Sequence, residues 1–250
     1  MSPPAHPTIL LIQGSFQRPD VYSPFVKLLE SRGFGVVQPE LPSLTGQDQP
    51  DFPQKTLADD SAVIEAALQR LVQDEAKKVV VVMHSYGGLV GAEAVPEELT
   101  LSSREHRGLL AGGVAHFIYV AAFVMPPGQS IGAAMRDSPN HTIEDGRIRM
   151  LDPRALIYND LPPEEAASLV DRMTVQSAGV LDTVLTRCAY SYVPSTYVVC
   201  TADPALPPPV QERFAQAAGS EVKNIAAGHS PMLSKPEQLA NIIVEISEGV

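Results

Sequence analysis

The 250 residues are 44% hydrophobic and only 19% charged, which provides for one sizeable core and excludes a disordered chain. A formal charge of -11 at pH 7 leaves no basic face for nucleic acid or anionic lipid, so neither is expected as a partner. No apolar run approaches the roughly 18 residues of a spanning helix, and Met1-Ser2-Pro3-Pro4-Ala5-His6-Pro7 lacks the pattern of a secretory signal and reads as a short disordered lead.

Thr8-Ile9-Leu10-Leu11-Ile12 is a continuous apolar run, the first predicted strand. It ends in Gln13-Gly14-Ser15-Phe16, a turn whose backbone N–H groups are placed to point at a substrate oxygen. Val21, Phe25, Leu28 and Leu29 share one face of a helix predicted over 20–31, which Gly33 stops. Gly35-Val36-Val37-Gln38 is a second strand, and a loop rich in Pro, Gln and Asp follows it. Val63, Ile64, Ala67, Leu68 and Leu71 predict an amphipathic helix over 59–73. The run Val79-Val80-Val81-Val82-Met83-His84 then has the β-branched density of a strand buried on both faces. Ser85-Tyr86-Gly87-Gly88 turns sharply into a helix over 89–94, which sets Ser85 at the tip of a strand–turn–helix elbow.

After a polar excursion, Val114-Ala115-His116-Phe117-Ile118-Tyr119-Val120-Ala121 is another buried strand, and His116 within it reads as a satisfied sheet histidine. The stretch 125–192 shows no strand–helix alternation. Helical pieces are predicted over 164–173 and 178–186, with Asp160 ahead of Pro162-Pro163 as a helix start. It reads as a small helical cap inserted over the strand ends. Ser195-Thr196-Tyr197-Val198-Val199-Cys200 and Glu221-Val222-Lys223-Asn224-Ile225 are the last strands, with helices over 210–218 and 235–248. The expected architecture is α/β: about six mainly parallel strands flanked by helices, a single domain over 1–250 with core 8–124 and 193–250. Cys188 and Cys200 form no framework, which predicts reduced thiols in a cytoplasmic protein.

Three chemically suited residues each follow a predicted strand, in the order Ser85, Asp203, His229. The C-terminal edge of a parallel sheet is where catalytic groups gather. A serine hydroxyl needs a base, neutral imidazole is that base near neutral pH, and a carboxylate fixes the imidazole tautomer. Ser85 is therefore the candidate nucleophile, His229 the base and Asp203 the orienting acid, with the Ser15 and Tyr86 N–H groups as oxyanion donors. No metal site is expected.

His84-Ser85-Tyr86-Gly87-Gly88, Pro194 through Asp203, Gly228-His229 and Tyr158-Asn159-Asp160 resemble the α/β-hydrolase superfamily, in its small branch of plant methylesterases, hydroxynitrile lyases and their bacterial and fungal relatives. The resemblance covers the chain from about Thr8 to its end, and Met83 and the glycines before His116 look most like fungal members, some of which serve biosynthetic pathways. It implies a cofactor-free, esterase-like enzyme that takes a small molecule. The expected reaction is cleavage of a carboxylic ester, lactone or thioester through an acyl-enzyme on Ser85. Acyl transfer, lactonisation or carbon–carbon cleavage on the same triad is the alternative, and a binding protein that has lost turnover is a third reading. Two positions depart from the pattern: Met83 stands where glycine is usual, and Gln13 where histidine often precedes the oxyanion turn. Gly14 and Ser230 stand where the lyases carry threonine and lysine, which disfavours cyanohydrin cleavage, and Ser85 disfavours the aspartate-nucleophile epoxide hydrolases and dehalogenases. Phe16, Met125, Tyr158 and Met173, with Tyr86, are expected to line an apolar pocket.

Overall fold

Continuous apolar runs bounded by glycine, proline or polar residues build the sheet. The structure, a computed structural model, describes residues 6–109 and 112–250; most of the expected disordered lead, residues 1–5, lies outside the described residues. In chain order the strands are β1 (Thr8–Ile12), β2 (Val36–Val37), β3 (Lys78–His84), β4 (Gly113–Val120), β5 (His141–Glu144), β6 (Arg147–Met150), β7 (Gln176–Ser177), β8 (Ser195–Cys200) and β9 (Glu221–Ile225). Six of them form a parallel sheet in the order β2-β1-β3-β4-β8-β9. Val79, Val80, Val81 and Val82 are wholly buried at its centre, as a strand covered on both faces requires.

Helix α1 (Pro19–Ser31) packs on the C-terminal helix Pro236–Glu248, and α2 (Leu57–Gln69) packs on α3 (Gly87–Ala94). Helix α2 starts earlier than the apolar periodicity suggests because Thr56 caps it. The Thr56 hydroxyl accepts the Asp59 N–H (3.3 Å) while the Asp59 carboxylate accepts the Thr56 N–H (2.7 Å). No helix of the described residues is long and apolar enough to cross a membrane.

The strand order positions the site. From β1 the chain moves outward to β2, and from β3 onward it builds the other half of the sheet, so the exits of β1 and β3 are neighbours at a topological switch point. Ile12 pairs with Met83, which sets Gln13–Phe16 beside His84–Tyr86. Ser85 occupies the left-handed region (φ 52°), a conformation that costs a non-glycine residue on the order of 1 kcal/mol or more. The helix after it can press against the sheet only because its first positions are bare. A side chain on Gly87 would stand 2.6 Å from the Ile12 carbonyl oxygen, and one on Gly88 would run into that of Phe123. Met83 turns into the core, and its sulfur fills the space where a side chain on Gly91 would stand. The methionine is thus accommodated by a glycine on the facing helix.

The inserted segment corrects the helical expectation in part. It carries short helices at Gly132–Met135, Pro153–Leu156 and Pro163–Asp171, but its middle is a three-stranded antiparallel sheet in the order β5-β6-β7. Residues 178–186 hold only a 3-10 turn, Ala178–Leu181. Helix Pro163–Asp171 starts on the Pro162-Pro163 pair, not at Asp160.

Candidate active site

Asp203 leaves β8 and His229 leaves β9, two and three strand spacings from β3, or about 10 and 14 Å. Their loops nevertheless return to the elbow. His229 Nε2 lies 3.0 Å from Ser85 Oγ, and His229 Nδ1 lies 2.7 Å from Asp203 Oδ2. All three side chains are buried. The structure therefore brings together the three residues that the sequence singles out.

The Asp203 carboxylate is clamped from both sides. Its Oδ1 accepts the Ala205 and Leu206 N–H groups (2.8 and 2.9 Å), while Oδ2 takes His229 and a longer contact from Gln211 Nε2 (3.3 Å). Gln211, fully buried, also bridges the Cys200 N–H and carbonyl and the Leu206 carbonyl (2.9, 3.1 and 2.6 Å). It ties the acid's loop to the end of β8. Asp160, expected to start a helix, instead accepts the Gly228 N–H (2.6 Å), and Asn159 donates to the Ala202 carbonyl (3.0 Å). The inserted segment thus holds both loops that carry Asp203 and His229.

His84 connects the elbow to the histidine loop. Its Nε2 faces the His229 carbonyl oxygen at 2.8 Å, which fixes Nε2 as the protonated nitrogen, and its Nδ1 lies 2.8 Å from the Tyr22 hydroxyl, whose single proton is shared between Nδ1 and Gln17 Oε1. Burial, aided by the neighbouring His229, pulls this imidazole down to about 3, so the ring is neutral at ordinary pH. Tyr22 Oη accepts the Gly14 N–H (3.0 Å), and Gln17 bridges Tyr22 and Tyr158 (2.7 and 3.0 Å). Helix α1 thereby holds the first turn against the elbow. His116, by contrast, sits in β4 bonded to Thr196 Oγ1 at 3.0 Å, apart from the site.

The N–H groups of Ser15 and Tyr86 have no hydrogen-bond partner among the described residues; Ser15 borders the cavity over Ser85, and Tyr86 a smaller chamber that Ser15 also lines. Tyr86 is anchored by its far end. Its hydroxyl donates to Asp60 Oδ2 (2.7 Å), and Asp60 also takes the Ser43 N–H and hydroxyl (2.8 and 2.6 Å). Burial outweighs these donors and pushes the Asp60 carboxyl up to about 6. Folded Asp60 then holds its proton more tightly than the unfolded chain, with its reference value of 3.8. Its contribution to stability is complete below that pH and is lost as pH rises through about 6. Urea unfolding between about pH 4 and pH 7 should therefore show the wild type losing stability relative to Asp60→Asn as pH rises. A pH-independent difference would contradict this.

An open cavity of about 60 Å³ lies over Ser85 and His229. Its apolar wall includes Phe16, Phe123, Met135, Met150, Leu156 and Leu206, and its polar wall Gln17, Asn140 and His141. Of the expected lining residues, Phe16 is present and Tyr86 borders an adjoining chamber. Met125, Tyr158 and Met173 are corrections. Met125 and Tyr158 are buried in the core, Tyr158 with its hydroxyl on Gln17, and Met173 packs against that core. Their places are taken by residues of the β5–β6 hairpin and the helices around it, which a helical reading of that segment could not supply. Among the described residues no group of three or more His, Cys, Asp or Glu is placed to hold a metal ion.

The profile of the alpha/beta hydrolase family matches residues 9–242. The chain belongs to this family. As an alpha/beta hydrolase it is 28% identical over 246 residues to the alpha/beta hydrolase nvfD of Aspergillus novofumigatus, covering 95% of each chain. It is 24% identical over 263 residues to a pyrethroid hydrolase of Sphingobium wenxiniae, covering 96% of this chain and 88% of the other. Among solved structures, tomato methylketone synthase I superposes with a TM-score of 0.77 at 17% identity over 98% of both chains, a likeness of fold. Hydrolases recur among these relatives, which supports an esterase-like enzyme, and the esterases among the solved structures, at 17–18% identity, share its fold.

Proposed function

We propose that the protein is a serine hydrolase that cleaves a carboxylic ester, lactone or thioester of a small, largely apolar molecule through an acyl-enzyme on Ser85. The observation that carries this reading is the unbroken chain from Ser85 Oγ to His229 to Asp203 (3.0 and 2.7 Å) beside two unengaged N–H groups. Asp203 holds the proton of His229 on Nδ1, so Nε2 presents a lone pair to the serine hydroxyl. His229 takes that proton as Ser85 Oγ attacks the carbonyl carbon. The tetrahedral oxyanion is met by the Ser15 and Tyr86 N–H groups, each such donor contributing about 3–4 kcal/mol to the transition state. The proton on Nε2 then passes to the departing alcohol or thiol. A water, deprotonated by the same nitrogen, releases the acid. Cys188 and Cys200, both free thiols, support a reducing, cytoplasmic setting.

The net reaction is tested by product analysis. With p-nitrophenyl butyrate, in buffer alone and with a low concentration of methanol, the expected main product in both is the free acid. Methyl butyrate as the dominant product would favour acyl transfer over hydrolysis.

A further inference from the structure

One polar side chain in the cavity wall has no task in the chemistry above. His141, at the start of β5, is 8% exposed, and its Nε2 is buried with no hydrogen-bond partner. Of the other polar groups on that wall, Gln17 is engaged by Tyr22 and Tyr158 and Asn140 is only half-buried, so His141 stands out as the buried polar group left unsatisfied by the protein. Such groups are rare and call for a reason. Burial also lowers the affinity of this imidazole for a proton, which keeps it neutral and able to donate or accept through one nitrogen.

Its position gives the reason. Besides the larger cavity, a second, small chamber of about 30 Å³ lies beside the elbow. Ser15, Phe16, Met135 and His141 line both, whereas Ser85 and His229 border only the larger chamber and Tyr86 only the smaller. The leaving group must lie where His229 Nε2 can protonate it, in the larger chamber. The acyl group, with its carbonyl oxygen between the Ser15 and Tyr86 N–H groups, then extends toward the smaller one and passes His141. Apart from His141 and Gln176, whose amide nitrogen donates to the Ser43 hydroxyl (3.2 Å), the smaller chamber is walled mainly by apolar side chains such as Ile131, Ile148, Val180 and Leu181.

We infer that His141 is a specificity residue that selects substrates whose acyl group carries an oxygen function, a carbonyl or hydroxyl, on an otherwise apolar chain, by hydrogen bonding to that oxygen. This rests on the serine-hydrolase reading of Ser85. The acyl oxygen takes no part in bond making or breaking; it completes the hydrogen-bonding of a buried imidazole, so an acyl chain without it leaves that group unpaired.

The test compares p-nitrophenyl hexanoate with its mono-oxo analogues, the ketone walked along the chain. Wild type is expected to prefer at least one analogue by about tenfold in kcat/KM, mostly through KM, the effect of about one well-placed hydrogen bond. His141→Phe should bring the ratio of kcat/KM for that analogue over the parent ester to about one, while His141→Gln, which keeps a donor and an acceptor, should restore part of the preference. Wild type with no preference at any position overturns the assignment without any variant having to fold. So does a His141→Phe enzyme that loses activity on parent and analogue alike. Labelling of Ser85 by a fluorophosphonate separates the two readings. If Ser85 labels and hexanoate is turned over without an oxo preference, only the role of His141 falls. If no ester is turned over and Ser85 takes no label, the hydrolase reading falls, and the assignment with it.

Discussion

Replacing Ser85 by Ala is expected to lower kcat on p-nitrophenyl esters by about a millionfold, the size of effect when the nucleophile of a coupled triad is removed. The variant should fold normally. Alanine tolerates the left-handed backbone at the elbow about as well as serine, and the lost hydroxyl is bonded only to His229 among the described residues. What remains after the substitution is the oxyanion site formed by the Ser15 and Tyr86 N–H groups, which still binds and polarises a carbonyl. A residual rate of about 10³–10⁴ over the uncatalysed reaction is therefore expected. Steady-state turnover together with a thermal melt checks both halves. A variant with an unchanged melt and full turnover would remove Ser85 from the chemistry.

The second large effect is expected from Asp203→Asn, about 10⁴-fold in kcat. The structure dictates which way the new amide turns. The outer carboxylate oxygen accepts two backbone N–H groups, from Ala205 and Leu206, and only an oxygen satisfies them. The amide nitrogen must then take the position facing His229 Nδ1 and Gln211 Nε2. There it donates to Nδ1, forces the imidazole proton onto Nε2, and leaves the serine facing a donor in place of a lone pair. The loss should fall on kcat with little change in KM, because the substitution alters the proton inventory and not the cavity. Gln211 Nε2 would also meet another N–H, so a modest drop in stability should accompany it.

Much of this site was legible because its residues leave strands that announce themselves. β8 begins and ends where its apolar and β-branched run does, and β9, an edge strand of mixed sequence, keeps the bounds Glu221–Ile225 that the sequence suggests, so Asp203 and His229 fall in the loops directly after them. The elbow was legible for the same reason, although Met83 breaks the usual small-residue pattern. Its accommodation depends on Gly91, eight residues along, and only packing reveals that pairing. The inserted segment was misread because its strands are only two to four residues long and carry charges, such as Glu144 and Arg149, on exposed positions. The signal was nonetheless present. Asp145-Gly146 joins β5 to β6, and both residues have positive φ (49° and 68°), the backbone that an Asp-Gly hairpin turn adopts. Recognising it would have placed His141 and Met150 opposite one another and at the cavity, in place of Met125 and Met173. Gln17 and Gln211 carried no signal at all. A glutamine becomes part of a site only when the fold closes around both ends of its amide.

The most direct measurement is the intact mass of the protein after treatment with a fluorophosphonate, followed by peptide mapping. Wild type should gain a single phosphonyl group located on Ser85, in step with the loss of ester turnover, and Ser85→Ala should gain none. Complete inactivation with the label on another residue, or undiminished turnover by an enzyme fully labelled at Ser85, would contradict a mechanism in which that hydroxyl is the nucleophile.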